Sequence, residues 1–193
     1  MGWTALLDAC VLFPVATRDL LLRGAQAGLY QVRWSAEIIA EVWASLTKET
    51  VCTPKQADHL IEMMATAFPE ALVRGHERLA ARMVNEPGDR HVLAAAVIAK
   101  ADVIVTDNRR HFPEDICEPL GVEIQTADEF LSAAFDLAPH RMTEAFLQQV
   151  DDFHRPALTP SKALSRLDSR LPAFASRLRR VDVVRDVADL DHQ

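Results

Sequence analysis

The stretch Asp89–Pro113, DRHVLAAAVIAKADVIVTDNRRHFP, reads as a helix, a tight turn, a strand and a loop. Val92, Leu93, Ala95, Ala96 and Ile98 give the first part an apolar helical face, and Ala94, Ala95 and Ala96 are small enough to let that helix approach a sheet closely. Val103–Val105 is a β-branched run suited to a buried strand. Asp89 stands where the helix begins and Asp107 where the strand stops. Ligands of open α/β sheets gather beyond the carboxyl ends of the strands, so an acid at a strand end and an acid at a helix start can face one crevice. An N-cap role is the alternative for Asp89.

Working outward, Trp3–Phe13 (WTALLDACVLF) reads as a buried parallel strand broken by Asp8, an acid costly to bury unpaired. Pro14 and the segment to Ala27 form a helix that Gly28 stops. Ser35 caps a helix whose stripe is Ile38, Ile39, Val42, Trp43 and Leu46, with Glu37 and Glu41 on one face and Glu41 close to the stripe. Thr53-Pro54 opens another helix to about Ala67, with Met63 and Met64 as core filler. Ala71–Val73 reads as a short strand, Glu77–Val84 as helical, Val122–Ile124 as a last strand, and Ala127–Leu137 and His140–Phe153 as helices. Arg155–Leu158 reads as a linker, and Thr159-Pro160 opens an amphipathic helix to about Arg180, carrying Leu164, Leu167, Leu171, Phe174 and Leu178 and interrupted at Pro172. The alternation predicts a parallel sheet covered by helices on both faces.

The 193 residues fit one domain, or one domain with an appendage, and 49% hydrophobic residues with only 6% aromatic give an aliphatic core. Three widely spaced cysteines, Cys10, Cys52 and Cys117, argue against a disulfide framework and for a reducing cytoplasm. No signal peptide is visible and no apolar run approaches the roughly 20 residues of a membrane span. The net charge of −7 is uneven: residues 155–180 carry seven basic side chains against Asp168 alone, a net +6, which leaves −13 elsewhere.

Four acids, Asp8, Glu41, Asp89 and Asp107, are candidates for one cluster. Such a set cannot stay ionised within a few ångströms without countercharge, and a hard divalent cation such as Mg²⁺ or Mn²⁺ is the usual solution.

The pieces LLDACVLFPVATRDLLLR, WSAEIIAEVWASL, DRHVLAAAVIAKADVIVTDNRRHFP and DEFL resemble the PIN-domain family, metal-dependent ribonucleases that include VapC-type toxins. The resemblance covers about residues 1–137. It implies a PIN-like three-layer α/β/α sandwich with a parallel central sheet over 1–137, and a helical C-terminal extension over 138–193 like that of one subgroup of larger VapC-like proteins. It implies a toxin of a type II toxin–antitoxin pair that hydrolyses RNA with Mg²⁺ or Mn²⁺, a cognate antitoxin and a homodimer; the absence of a long apolar run implies no membrane association. Asp8, Glu41 and Asp89 fall on the family's first three acidic positions. The fourth acid usually stands two residues after the strand-ending Ser/Thr. That position, counted from Thr106, is Asn108, while Asp107 is one residue early, so Asp107 turns inward or Asn108 serves as a neutral ligand. Thr106 is placed to orient a water or a ligand, and Arg109 and Arg110 to hold substrate phosphate, with His111 beside them. The C-terminal arginines are candidates for RNA contacts, a solvated face, or docking of an acidic partner. The competing functions are a catalytically inactive PIN scaffold acting as a binding module and, ranked last, a phospho-acceptor receiver domain, which wants an acidic pair near the first strand and a late Lys, both missing here.

Overall fold

The computed structural model describes residues 2–49, 51–153 and 159–181. The described chain divides into two compact units, one drawn from Met1–Pro14 with Tyr30–Thr126, the other from Val15–Leu29 with Ala127–Gln193.

The first unit is built on five parallel strands, β1 (Trp3–Leu7), β2 (Tyr30–Ser35), β3 (Leu72–Val73), β4 (Val103–Val105) and β5 (Glu123–Gln125), in the order β3-β2-β1-β4-β5. Strand order reverses at β1, so the switch point of the sheet lies beyond Leu7 and Val105, which are paired in register. The α/β class with an all-parallel sheet is as the sequence implies.

Two local readings change. Trp3–Phe13 is not one strand: β1 stops at Leu7, Asp8 takes an extended conformation (φ −76°, ψ 156°), and Ala9–Leu12 forms a one-turn helix, α1, capped by the Asp8 side chain. The capping energy of a carboxylate on free helix N–H groups wins over continuation of the strand. The second is the addition of β2, which the sequence reading did not contain: Tyr30, Val32 and Trp34 are buried while Gln31 is exposed and Arg33 half-buried, a period-two pattern.

Helix α3 (Ala36–Lys48) leaves β2 directly, its N-cap Ser35 accepting from the Ile38 amide at 3.2 Å, and α4 (Pro54–Ala67) begins with a Thr53–Gln56 capping box. Met64 is buried in α4 as expected, but Met63 points outward with 56% exposure. The helical turn after β3 is shorter than expected, α5 covering only Glu77–Ala80. Helix α6 (Arg90–Ala99) packs on β1, β2, β3 and β4, and Val92–Ala96 are all fully buried. The alanine patch allows this close seating. Lys100 ends α6 in the left-handed region (φ 51°), a position that favours glycine. A short helix, α7 (Glu114–Cys117), precedes β5.

The second unit holds α2 (Val15–Gln26), α8 (Ala127–Leu137), α9 (Pro139–Asp152), α10 (Pro160–Leu167) and α11 (Pro172–Leu178). The long C-terminal helix is broken where Pro172 demands it, and Leu164, Leu167, Leu171, Phe174 and Leu178 are all buried. Phe174 meets Phe135 edge-to-face at 6.2 Å, and Asp128 accepts from the Ala173 and Phe174 amides at 3.0 and 2.9 Å. The arginine-rich face is partly neutralised within the unit: Arg177 makes a two-pronged bond to Asp136, at 2.8 and 2.9 Å, and Arg179 pairs with Asp168 at 2.6 Å. Lys162, Arg166, Arg170 and Arg180 are exposed. Arg155, the linker reading over Arg155–Leu158 and the tail beyond Val181 lie outside the described residues.

Candidate functional site

Asp8 follows β1 and Thr106 follows β4, so the register of the two central strands sets them side by side. The sheet ladder continues one step past the strands: the Asp8 amide donates to the Val105 carbonyl at 3.1 Å and the Thr106 amide to that of Gln125 at 2.9 Å. Asp8 is only 3% exposed. Its Oδ1 accepts from the Ala9 amide at 2.7 Å, and its Oδ2 from the Thr106 hydroxyl at 2.6 Å and the Cys10 thiol at 3.2 Å. Burial pushes the Asp8 carboxyl above its ordinary 3.8, the charge of Asp89 adds to this, and the three hydrogen bonds oppose it.

Asp89 occupies the N-cap position of α6 but makes no side-chain cap bond, its backbone (φ −107°, ψ 9°) being away from the extended form that capping needs. Its Oδ2 instead lies 2.6 Å from His111 Nδ1. Arg110 Nε donates to His111 Nε2 at 3.2 Å, which assigns the ring proton to Nδ1 and makes the imidazole a donor to Asp89. Asn85 closes this loop from the other side, its Nδ2 donating to the His111 carbonyl at 3.4 Å. His111 is therefore bound to an acid, not a solvent-facing loop residue.

Glu41 is exposed on α3, where the sequence pattern had set it close to the buried stripe, and its Oε1 meets His91 Nε2 at 3.0 Å. The hydrogen bond to Glu41, with the charges of Glu41, Glu37 and Asp8, holds the His91 imidazolium above its ordinary 6.5 against the effect of burial. One turn earlier Glu37 Oε2 lies 3.2 Å from Nε2 of the buried His76. Burial raises the Glu37 carboxyl, but the bond to its own backbone, His76, Ser35 and His91 together bring it below its ordinary value.

The loop after Thr106 treats the two candidates for the fourth position differently. Asp107 is exposed, and its amide donates to Cys10 Sγ at 3.3 Å. Asn108 is half-buried and its amide donates to Thr106 Oγ1 at 3.0 Å. Arg109 lines a hollow of about 530 Å³ with Asp102, Phe112, Glu118 and Val122, whose lining includes none of the acids Asp8, Glu41 and Asp89.

The family models agree with this layout. A model described as PIN domain matches residues 4–110, and one described as VapC50 C-terminal domain matches residues 127–180. The chain belongs to the PIN-domain family. A Mycobacterium tuberculosis (strain ATCC 25618 / H37Rv) protein named "Putative ribonuclease VapC50" is 40% identical over 121 residues, which span 61% of this chain and 72% of that protein. No solved structure matches the chain.

In this PIN domain Asp8 and Asp89 lie within electrostatic reach of one another, and His91, bonded to Glu41, also feels the charge of Asp8. Among the described residues, no three His, Cys, Asp or Glu side chains converge closely enough to ligate one ion. The donor set still fits a hard cation: all three acids offer oxygen, and the groups bonded to the buried Asp8 carboxylate, Thr106, Cys10 and the Ala9 amide, are uncharged. Sequence reading missed Cys10, His91, Asn85 and His76. Only the DRH run, with His91 two residues after Asp89, offered a signal for any of them. The three cysteines are free, and no helix among the described residues is long and apolar enough to cross a membrane.

Proposed function

We propose that the chain is the toxin of a type II toxin–antitoxin pair, an endoribonuclease that hydrolyses RNA phosphodiester bonds with Mg²⁺ or Mn²⁺. The observation that carries the reading is Asp8: a carboxylate 3% exposed, at the switch point of the sheet, held by uncharged donors and pushed upward by burial and, less strongly, by the charge of Asp89. Asp8, Glu41 and Asp89 would hold the ion directly or through water, and Asp107 or Asn108 would complete the set. A divalent cation in such a site activates water and offsets charge on the phosphodiester.

The chain's own residues do the rest. Thr106 fixes the Asp8 carboxylate, His111 fixes Asp89 and His91 fixes Glu41, so each acid is oriented by a side-chain donor. Arg110, already bonded to His111, and Arg109 supply positive charge for the substrate phosphate. The exposed Lys162, Arg166, Arg170 and Arg180 of the extension over 138–193 add phosphate contacts outside the nuclease body over 1–137, an affinity that falls with salt. A cognate antitoxin covers the acidic crevice, the working form is a homodimer, and the reaction takes place in the cytoplasm.

The test is cleavage of a mixed tRNA and rRNA pool by purified protein in Mg²⁺, Mn²⁺ or EDTA, with Asp8→Asn and Asp89→Asn beside the parent. Fragments that need metal and vanish in both variants support the reading. A parent freed of bound partner that cuts nothing overturns it in favour of the inactive binding scaffold.

A further inference from the structure

Asp8 is held by three groups, and one of them is unusual for the task. Cys10 stands in the single turn of α1, half-buried, with Sγ 3.2 Å from Asp8 Oδ2 and 3.4 Å from Thr106 Oγ1. The same sulfur accepts the Asp107 amide at 3.3 Å, across 97 residues of sequence. One atom thus joins the end of β1 to the loop after β4, on both sides of the switch point.

Alternative roles for this cysteine are unfavourable. A thiol is a soft group, poorly suited to ligate a hard cation. It is a weak donor to a carboxylate and a weak acceptor from an amide, and it makes both of these contacts, with the Thr106 hydroxyl as a third neighbour. Because it brings no charge, it orients Asp8 without neutralising it.

We propose that Cys10 is a positioning residue of the acidic site, its thiol fixing both the Asp8 carboxylate and the Thr106–Asn108 turn in the arrangement that the cation requires. This rests on the metal-dependent nuclease reading. Cys10→Ala removes both contacts with little loss of volume, whereas Cys10→Ser keeps a donor and an acceptor in place.

Three readouts test it on the full chain. Cys10→Ala lowers kcat about 10- to 100-fold, the range found when a group orienting a metal-binding side chain is lost, with KM for RNA changed less than about twofold. It weakens Mn²⁺ binding, followed by titration calorimetry, by a similar factor, and amide exchange at Asp107 becomes faster. Cys10→Ser restores all three to within about threefold of the parent. Parent-like kcat and Mn²⁺ affinity in Cys10→Ala overturns the proposal, as does a serine variant impaired as much as the alanine one. If the parent itself cuts no RNA, the nuclease reading falls separately, and Mn²⁺ affinity with Asp107 exchange decides the role of Cys10.

Discussion

Replacing Thr106 by valine keeps the shape of a fully buried side chain and removes one hydroxyl. That hydroxyl donates to Asp8 Oδ2 at 2.6 Å and accepts the Asn108 amide at 3.0 Å. A hydrogen bond to a charged group contributes about 1.5–3 kcal/mol, and the Asp8 oxygen would be left with only the weak Cys10 thiol. The Asn108 amide is half-buried and finds water in part, so its loss adds less than a full bond. The expected cost is roughly 2–3 kcal/mol, or a fall of about 4–12 °C in the unfolding midpoint for a chain of this length.

The origin of that cost is separable. In EDTA at neutral pH, Thr106→Val is compared in the parent and in an Asp8→Asn background. With Asn at position 8 the bond is neutral and contributes only about 0.5–1.5 kcal/mol, so the two changes couple by roughly 1–2 kcal/mol. Strict additivity would refute the reasoning, because the Thr106 hydroxyl would then contribute no more to a charged carboxylate than to a neutral amide.

Three further outcomes follow from named contacts. An acid whose folded value lies above its unfolded one makes the folded state bind protons more tightly, so the metal-free protein loses stability as pH rises from the ordinary 3.8 through the raised Asp8 value; Asp8→Asn removes this loss, giving a higher midpoint at neutral pH and a flatter pH profile in EDTA. Phe174→Ala leaves a cavity against Phe135 in the second unit and costs about 3–5 kcal/mol by denaturant unfolding. Lys100→Gly relieves the left-handed backbone at the end of α6 and stabilises by about 1 kcal/mol by the same assay, while Lys100→Ala does not.

Asp8, Asp89 and Thr106 were legible in the sequence because they stand at element boundaries, and boundaries are where period and composition change. Asp8 breaks an apolar run, Asp89 follows a Pro-Gly turn, and Thr106 ends a β-branched triplet. Their partners were not legible. Glu41 and His91 are 50 residues apart, Cys10 and Thr106 are 96, and only the sheet order brings each pair together. Strand β2 was missed for a related reason. A buried parallel strand is expected as a continuous apolar run, whereas YQVRWS alternates and runs directly into the helix it caps, so Trp34 and Ser35 read as the helix start alone. The length of β1 was overread because a carboxylate in mid-run looks like an interruption of a strand until the turn beyond it is seen to need a cap.

The partners differ in a way that bears on where a cation is needed. Glu41 and Asp89 are each met by an imidazole, from His91 and His111. Asp8, the most buried of the three, is met by a hydroxyl, a thiol and an amide. Those groups fix its direction but leave its charge uncompensated in a place where charge is costly, and Asp89 makes the cost larger. A cationic side chain at that depth would have stabilised the metal-free fold, but it would also have occupied the place proposed for the ion. Neutral donors on Asp8 hold the carboxylate in position while keeping its demand for positive charge, so on the proposed function the buried, uncompensated charge that weakens the metal-free protein would also favour binding of a cation.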